Sequence, residues 1–374
     1  MVNRDDRRAF LDFYTKDCGR LKKKAAAYNR KLRKEPNGII APFAEDLADL
    51  NEGGKLLRGT LVDLGYRLAG GGKPDESAAL ALAFEIFQTG VLIHDDIIDN
   101  AVLRRGKLTV QRRYSHRLEV RGTKMVAETE DAGHIADSAA ICVGDLGICH
   151  ANYMIAKSYI GHPALGALIS YFDEVIIDTI RGELLDVVLP YELQDNTRTE
   201  EEKKAVLEES VRDIYRLKTA KYSVVGPIHL GMMLAGAPAD ELRAMDRFAE
   251  DIGIAYQIAD DILGIFADAE ILGKDVGSDV SEFKQTILYM YVRTRDEEAE
   301  KALLRYYGKK KLTADNLEAV REIFRNSGAL AYAQSAMNAC FERSEKRLEK
   351  MKFLKEEDRS ILRGFIDWCR GRRY

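Results

Sequence analysis

Two segments place paired aspartates at the ends of apolar stretches: His94, Asp95, Asp96, Ile97, Ile98, Asp99, and Gln257, Ile258, Ala259, Asp260, Asp261, Ile262, Leu263, Gly264. Asp95 and Asp99 are four residues apart, so on a helix both carboxylates lie on one face. On a buried helix such carboxylates repel one another and are poorly hydrated, and they need a positive partner. Lysine or arginine can serve. Hard oxygen donors suit a divalent cation better, and Mg²⁺ takes one or two carboxylates and completes its octahedron with water and substrate phosphate. One aspartate pair is commonplace at a solvated helix end; two, on the most apolar helices of the chain, argue for a site.

Cations accompany them. Lys55 and Arg58, Arg104 and Arg105, Lys218, and Lys274 with Lys284 flank or follow the same segments. Any one alone reads as a surface charge. Grouped at the same helix ends as the aspartates, they read as a pocket for phosphate oxygens, held partly through metal bridges and partly by charge-assisted hydrogen bonds. Carboxylates holding Mg²⁺ opposite lysine and arginine make a diphosphate site.

The elements that must position these residues are helices, because apolar residues recur three and four apart rather than two apart. Residues 1–35 read as a basic, amphipathic outer helix. Gly53 and Gly54 then form a loop that opens a helix at Lys55 to Arg58. Two very apolar helices, 76–99 and 135–160, read as buried, and the polar stretch 107–131 between them as an irregular surface excursion. Further helices are expected over 163–188, 200–218, 220–234, 240–266, 283–295, 313–326 and 328–370. No internal repeat is present. The fold class is all-α, a single large domain over residues 1–374.

Composition narrows the function. The 374 residues are 46% hydrophobic and 32% charged, and 57 basic against 61 acidic residues leave a net charge of −4, which excludes a nucleic-acid binder whose whole surface is basic. The longest apolar runs are interrupted by Glu85, Gln88 and His94 and fall short of the ~20 residues of a membrane span. The five cysteines, Cys18, Cys142, Cys149, Cys340 and Cys369, are odd in number and lack zinc-site spacing, so reduced thiols and a cytoplasmic location are expected.

The segment from Leu92 to Gly106 resembles the first aspartate-rich motif of the trans-type isoprenyl (polyprenyl) diphosphate synthases. Tyr256 to Phe266, followed by Leu272 to Asp279, resembles the second. Gly53 to Arg58, Gly144 with Asp145, Lys218 with Thr219, and Gly182 to Asp186, which is similar to that family's GQxxD, add to the match. The resemblance implies an all-α barrel of long helices around a deep apolar cavity, usually a homodimer. It implies head-to-tail condensation of an allylic diphosphate with isopentenyl diphosphate, in the geranylgeranyl range, with about three Mg²⁺ ions as cofactor. By that resemblance Asp95, Asp99, Asp260 and Asp261 are the metal ligands, and Arg104 and Lys218 act with Asp95, Asp99 and Asp260 in catalysis. Arg104, Lys218, Thr219, Gln257, Lys274 and Lys284 contact the allylic diphosphate. Lys55, Arg58, Gln88 and Arg105 form the isopentenyl diphosphate site. Gln88 stands where many members carry His, Gly264 where many have a last Asp, and Leu56 and Gly59 where Arg and Pro are frequent.

Product length is expected to be set on the helix that leads to Asp95. Gly90 and Val91 are small where short-product relatives place an aromatic ring. Phe87, eight residues upstream of Asp95 and about 4.5 Å below Val91's neighbour Gly90 at ~1.5 Å per residue, is then the floor. Two other readings compete: a class I terpene cyclase, which shares the fold and first motif but has no second diphosphate to bind, and a noncatalytic helical subunit, which has no need of both aspartate pairs and the cations.

Overall fold

The computed structural model describes residues 4–120, 131–267, 276–309 and 312–371. In chain order these form α1 (Arg4–Leu32), α2 (Ala41–Glu52), α3 (Leu57–Leu68), α4 (Pro74–Ile98), a hairpin of β1 (Leu103–Arg104) and β2 (Lys107–Leu108), α5 (Val110–Val120), α6 (Asp131–Ser158), α7 (Leu165–Glu192) and α8 (Glu200–Ile214). A π-helical segment, Tyr215–Val225, continues into α9 (Gly226–Leu234), followed by α10 (Ala239–Phe266), α11 (Ser278–Ser281), α12 (Ile287–Arg295), α13 (Glu297–Leu303), α14 (Ala314–Asn326), α15 (Ala329–Lys350) and α16 (Glu356–Arg370). The all-α expectation holds.

The chain forms two compact units, Tyr14–Ser170 with Leu230–Gly236, and Met1–Phe13 with Tyr171–His229 and Ala237–Tyr374. In the first unit α4 starts with Pro74 at its first turn and Asp75 and Glu76 beside the positive helix end. It lies against α3 and α6. Close approach to α6 needs glycines: a Cβ on Gly90 would sit 2.7 Å from the Gly144 carbonyl oxygen, and one on Gly147 2.9 Å from Gly90 Cα. Asp63 of α3 ties three helices together, accepting from Ser77 Oγ of α4 at 2.5 Å and from the Arg20 guanidinium of α1.

In the second unit α10 is the central helix, lying against α15 and the π-helical segment. Its Asp251 accepts from Arg343 and Arg347 of α15, each at 2.8 Å. Helix α8 opens with a reciprocal cap between Thr199 and Glu202.

Three local expectations are corrected. The described part of the stretch 107–131 contains strand β2 and α5; its Arg113 and Arg117 pair with Asp46, Arg113 at 3.0 Å, and Arg112 donates to Asn100 Oδ1 at 2.6 Å. The expected helix 328–370 is broken between Lys350 and Glu356. The expected break between 218 and 220 is a π-helical stretch. By length and composition α4 and α6 could each cross a membrane, although their uninterrupted apolar runs are short; the apolar window of α4 is 72% buried in the core and that of α6 33%.

Candidate active site

In the first unit Asp95 and Asp99 are half-buried at the C-terminal end of α4, while Asp96 between them is buried. Arg104 Nε donates to Asp96 Oδ1 at 2.7 Å, and its terminal nitrogen to Asp95 Oδ2 at 3.1 Å. Burial pushes Asp96 up to about 6 against the pull of Arg104. Asp96 thus anchors Arg104, leaving Asp95 and Asp99 as the outward pair. The hairpin turn that carries the arginines has positive φ at both Arg105 (54°) and Gly106 (75°), as a two-residue primed turn demands. Buried Gln111 holds the hairpin to α4, donating from Nε2 to the Asp96 carbonyl at 2.9 Å and the Ala101 carbonyl at 3.2 Å.

A second cluster in the same unit gathers the residues expected to bind isopentenyl diphosphate. Arg105 donates to the Leu50 carbonyl at 2.9 Å, and a Cβ on Gly53 would lie 3.1 Å from its guanidinium. Lys55 is exposed, and Leu56 enters α3 with φ of 52°, a conformation that costs a non-glycine residue and that clusters at functional loops. Glu85 organises the cluster: it is buried and accepts the Gly59 N–H at 2.7 Å. Burial raises its pKa, and Arg58 and Arg105 pull it back. Gly59 is explained by packing, since a Cβ there would stand 2.8 Å from the Ala81 carbonyl oxygen. Gln88, half-buried, lies one turn beyond Glu85 on α4. Glu85 escaped the sequence reading because an acidic residue on an apolar helix resembles a solvated interruption.

In the second unit Lys218 Nζ lies 2.6 Å from Asp186 Oδ2 and 2.8 Å from Glu183 Oε2, and Lys284 Nζ lies 3.7 Å from the same Asp186 oxygen. Burial pushes Asp186 up, but the two ammonium groups outweigh it and hold the carboxyl below its ordinary range. Asp186 and Glu183 lie in the segment resembling GQxxD. The π-helical segment that presents Lys218 and Thr219 is pinned on two sides by glycines: a Cβ on Gly182 of α7 would lie 2.9 Å from Lys218 Cα, and one on Gly253 of α10 would collide with Ala220. Wide π turns are frequent at functional sites.

The second aspartate pair divides in the same way as the first. Asp260 is half-buried; Asp261 is buried with both oxygens engaged, Oδ2 by the Tyr215 hydroxyl and Oδ1 by Gln257 Nε2 at 2.7 Å. Asp261, expected among the metal ligands, here fixes Gln257, whose Oε1 accepts from Thr219 Oγ1 at 2.6 Å. Burial, with Asp279 adding repulsion, pushes Asp261 up to about 7. The missing aspartate at 264 also has a structural counterpart, because a Cβ on Gly264 would sit 2.6 Å from Asp279 Oδ2. Another carboxylate occupies that space.

Gly90, one of the residues expected to set product length, faces the backbone of α6 and has no room for a side chain. At about 100° per residue, Val91, Gln88 and Phe84 lie within about 40° of the Asp95 face, whereas Phe87 is turned about 80° away. Phe84 and Phe87 are both fully buried and Val91 half-buried. Lys274 lies outside the described residues. Among the described residues no three His, Cys, Asp or Glu side chains form a closed metal cage. Mg²⁺ needs none, because water and phosphate supply most of its shell. The half-buried carboxylates Asp95 and Asp99 in the first unit, and Asp260 in the second, are of the type that suits such a cation, whereas Asp96 and Asp261 hold Arg104, Tyr215 and Gln257.

Comparison with known proteins agrees with this chemistry. A short chain isoprenyl diphosphate synthase from Methanothermobacter thermautotrophicus is 29% identical over 305 residues, covering 80% of this chain and 81% of the relative. A geranylgeranyl diphosphate synthase from Sulfolobus acidocaldarius is 30% identical over 278 residues, 73% of each chain. The structure of a geranylgeranyl pyrophosphate synthase from Corynebacterium glutamicum, complexed with isoprenyl diphosphate and magnesium, matches with a TM-score of 0.83 at 26% identity, covering 97% of this chain and 99% of that one. The polyprenyl synthetase profile matches residues 44–324, and the chain belongs to that family.

Proposed function

We propose that this prenyltransferase condenses an allylic diphosphate with isopentenyl diphosphate head-to-tail to give a longer all-trans prenyl diphosphate, with the geranylgeranyl range favoured. The observation that carries this reading is the second cationic cluster, Arg58 and Arg105 acting on the buried Glu85, with the exposed Lys55 beside it in sequence. A cyclase, with one diphosphate to bind, has no use for it.

In this reading Asp95, Asp99 and Asp260 hold about three Mg²⁺ ions, which neutralise the leaving diphosphate. Arg104, positioned by Asp96, and Lys218 and Lys284, positioned by Asp186, hold its oxygens as the C–O bond breaks. Thr219 and Gln257, fixed by Asp261, orient it, and Lys274 is assigned there by resemblance. Lys55, Arg58, Gln88 and Arg105 hold isopentenyl diphosphate. Its double bond captures the allylic cation, and the departed diphosphate accepts the proton, as no His or Glu in the motifs is an obvious base. Phe84 and Val91, on the Asp95 face of α4, limit the product, with Phe87 beside them. The matched segment 44–324 draws on both compact units, so the 374 residues are read as one functional domain. Exposed apolar residues on α6 (Leu146, Tyr153) and on α7 (Ile177, Ile180, Leu184, Tyr191) suit a second copy of the chain. The five cysteines are free, which suits a cytoplasmic location.

The test supplies Mg²⁺, isopentenyl diphosphate and, in turn, dimethylallyl, geranyl and farnesyl diphosphate, with products read by mass spectrometry. A lengthened prenyl diphosphate is expected. Diphosphate release from an allylic substrate alone would make the chain a cyclase, and no release a noncatalytic subunit.

A further inference from the structure

The allylic contacts proposed in the second unit come from three separate stretches of chain. Thr219 belongs to the π-helical segment, Gln257 to α10, and Lys284 stands just before α12. All three stretches are joined at one hydroxyl that lies outside the sequence motifs. It belongs to Tyr215, the buried first residue of the π-helical segment.

The donors and acceptors around that hydroxyl fix the direction of each bond. The backbone N–H of Ile287 reaches the Tyr215 oxygen at 2.7 Å. This N–H is in the first turn of α12, where the helix itself supplies no acceptor, so the tyrosine oxygen accepts it. The phenol has a single proton, which goes to Asp261 Oδ2. Burial, with Asp261 adding to it, pushes the Tyr215 hydroxyl far above its ordinary pKa, so that proton stays in place. The other oxygen of the buried Asp261 accepts from Gln257 Nε2 at 2.7 Å. With its nitrogen turned to Asp261, Gln257 offers Oε1 to Thr219, whose hydroxyl donates at 2.6 Å. The stretch before Ile287 is held in turn by the Lys284 N–H, which donates to the Asp279 carbonyl at 2.8 Å. In a buried network of this kind each bond orients the next, and removal of one member leaves its partners unpaired.

We infer that Tyr215 is a positioning residue for the allylic diphosphate: its one hydroxyl holds Asp261, fixes Gln257 and Thr219 through it, and through Ile287 keeps them in register with the stretch that carries Lys284. The identity of the ligand rests on the proposed function. The network itself does not.

The test is calorimetric titration of the full chain, with Mg²⁺, by the unreactive thiolo analogue of geranyl diphosphate, in which sulfur replaces the oxygen bridging carbon and phosphorus. Tyr215→Phe removes the hydroxyl and keeps the ring. It should weaken analogue binding by at least about tenfold and raise the Michaelis constant for the allylic substrate by a similar factor, while that for isopentenyl diphosphate changes by less than about twofold. In a Gln257→Ala background, Tyr215→Phe should weaken analogue binding by no more than about twofold further, because both changes break one chain of bonds. A Tyr215→Phe chain that melts at a lower temperature yet binds the analogue as the wild type does makes the hydroxyl a packing group and overturns the inference. Equal losses for the two substrates, or full additivity with Gln257→Ala, overturn it as well. If Tyr215→Phe does not fold, Asp261→Asn, which removes the charge that the same hydroxyl meets, takes its place with the same expectations. Failure of the proposed function would appear separately, as no condensation product with any primer, and the analogue titration would still decide the role of Tyr215.

Discussion

Asp95, Asp99 and Asp260 are half-buried and stand beside buried neighbours, Asp96 and Asp261, that hold Arg104, Tyr215 and Gln257. Asp95→Ala, Asp99→Ala and Asp260→Ala should each lower Mg²⁺-dependent turnover by at least about 100-fold while the circular dichroism spectrum and melting temperature stay near wild type, as loss of electrostatic stabilisation without loss of packing predicts. Normal turnover in Asp95→Ala would remove the metal assignment. The same rotation about α4 that separates Asp95 from Asp96 bears on product length. Phe84 shares the Asp95 face, so Phe84→Ala should lengthen the product more than Phe87→Ala does, read by mass spectrometry. The reverse order would make Phe87 the floor.

At the scale of the elements, glycines decide how closely helices approach. Gly182→Ala would drive α7 and the π-helical segment apart at Lys218, where even 2.9 Å to its Cα is too close for a Cβ. A cost of about 1–3 kcal/mol in urea unfolding is expected, with the Michaelis constant for the allylic substrate raised and that for isopentenyl diphosphate unchanged. Equal effects on both would mean that the segment serves general packing only. Asp63, which joins α1, α3 and α4, gives a pH signature. Burial pushes its pKa from 3.8 up to about 7, against the pull of Ser77 and Arg20. The folded state binds the proton more tightly than the unfolded state between those values, so the contribution of Asp63 to stability is full below about pH 4 and falls as pH rises toward 7. Relative to wild type, Asp63→Asn should therefore gain stability across that window; a difference in melting temperature that is flat from pH 4 to 7 would contradict it.

For the whole molecule, the exposed apolar residues of α7 recur at Ile177, Ile180, Leu184, Val187 and Tyr191, alternating three and four apart. This is the seam spacing of a helix that packs on another helix. Leu184→Lys combined with Tyr191→Lys should convert a dimer to a monomer in sedimentation velocity without loss of helix content. A wild-type chain that sediments as a monomer, or a dimer indifferent to these changes, would leave the stripe without a partner.

Much of this was legible in the residues themselves. Helical periodicity gave the all-α class, because burying one face of a helix repeats every three or four residues whatever lies opposite. The aspartate pairs and cations could be found because charges next to long apolar runs need a reason. What sequence could not give was which member of each pair faces outward. Asp96 and Asp261 carry the same side chain as Asp95 and Asp260, and only the tertiary structure shows that Asp96 and Asp261 are the buried members of each pair. Nor could it give the π-helical turn under Lys218 or the carboxylate of Asp279 in the space that Gly264 leaves. Those depend on residues far apart in the chain coming within a few ångströms, a property of packing that no local spacing encodes.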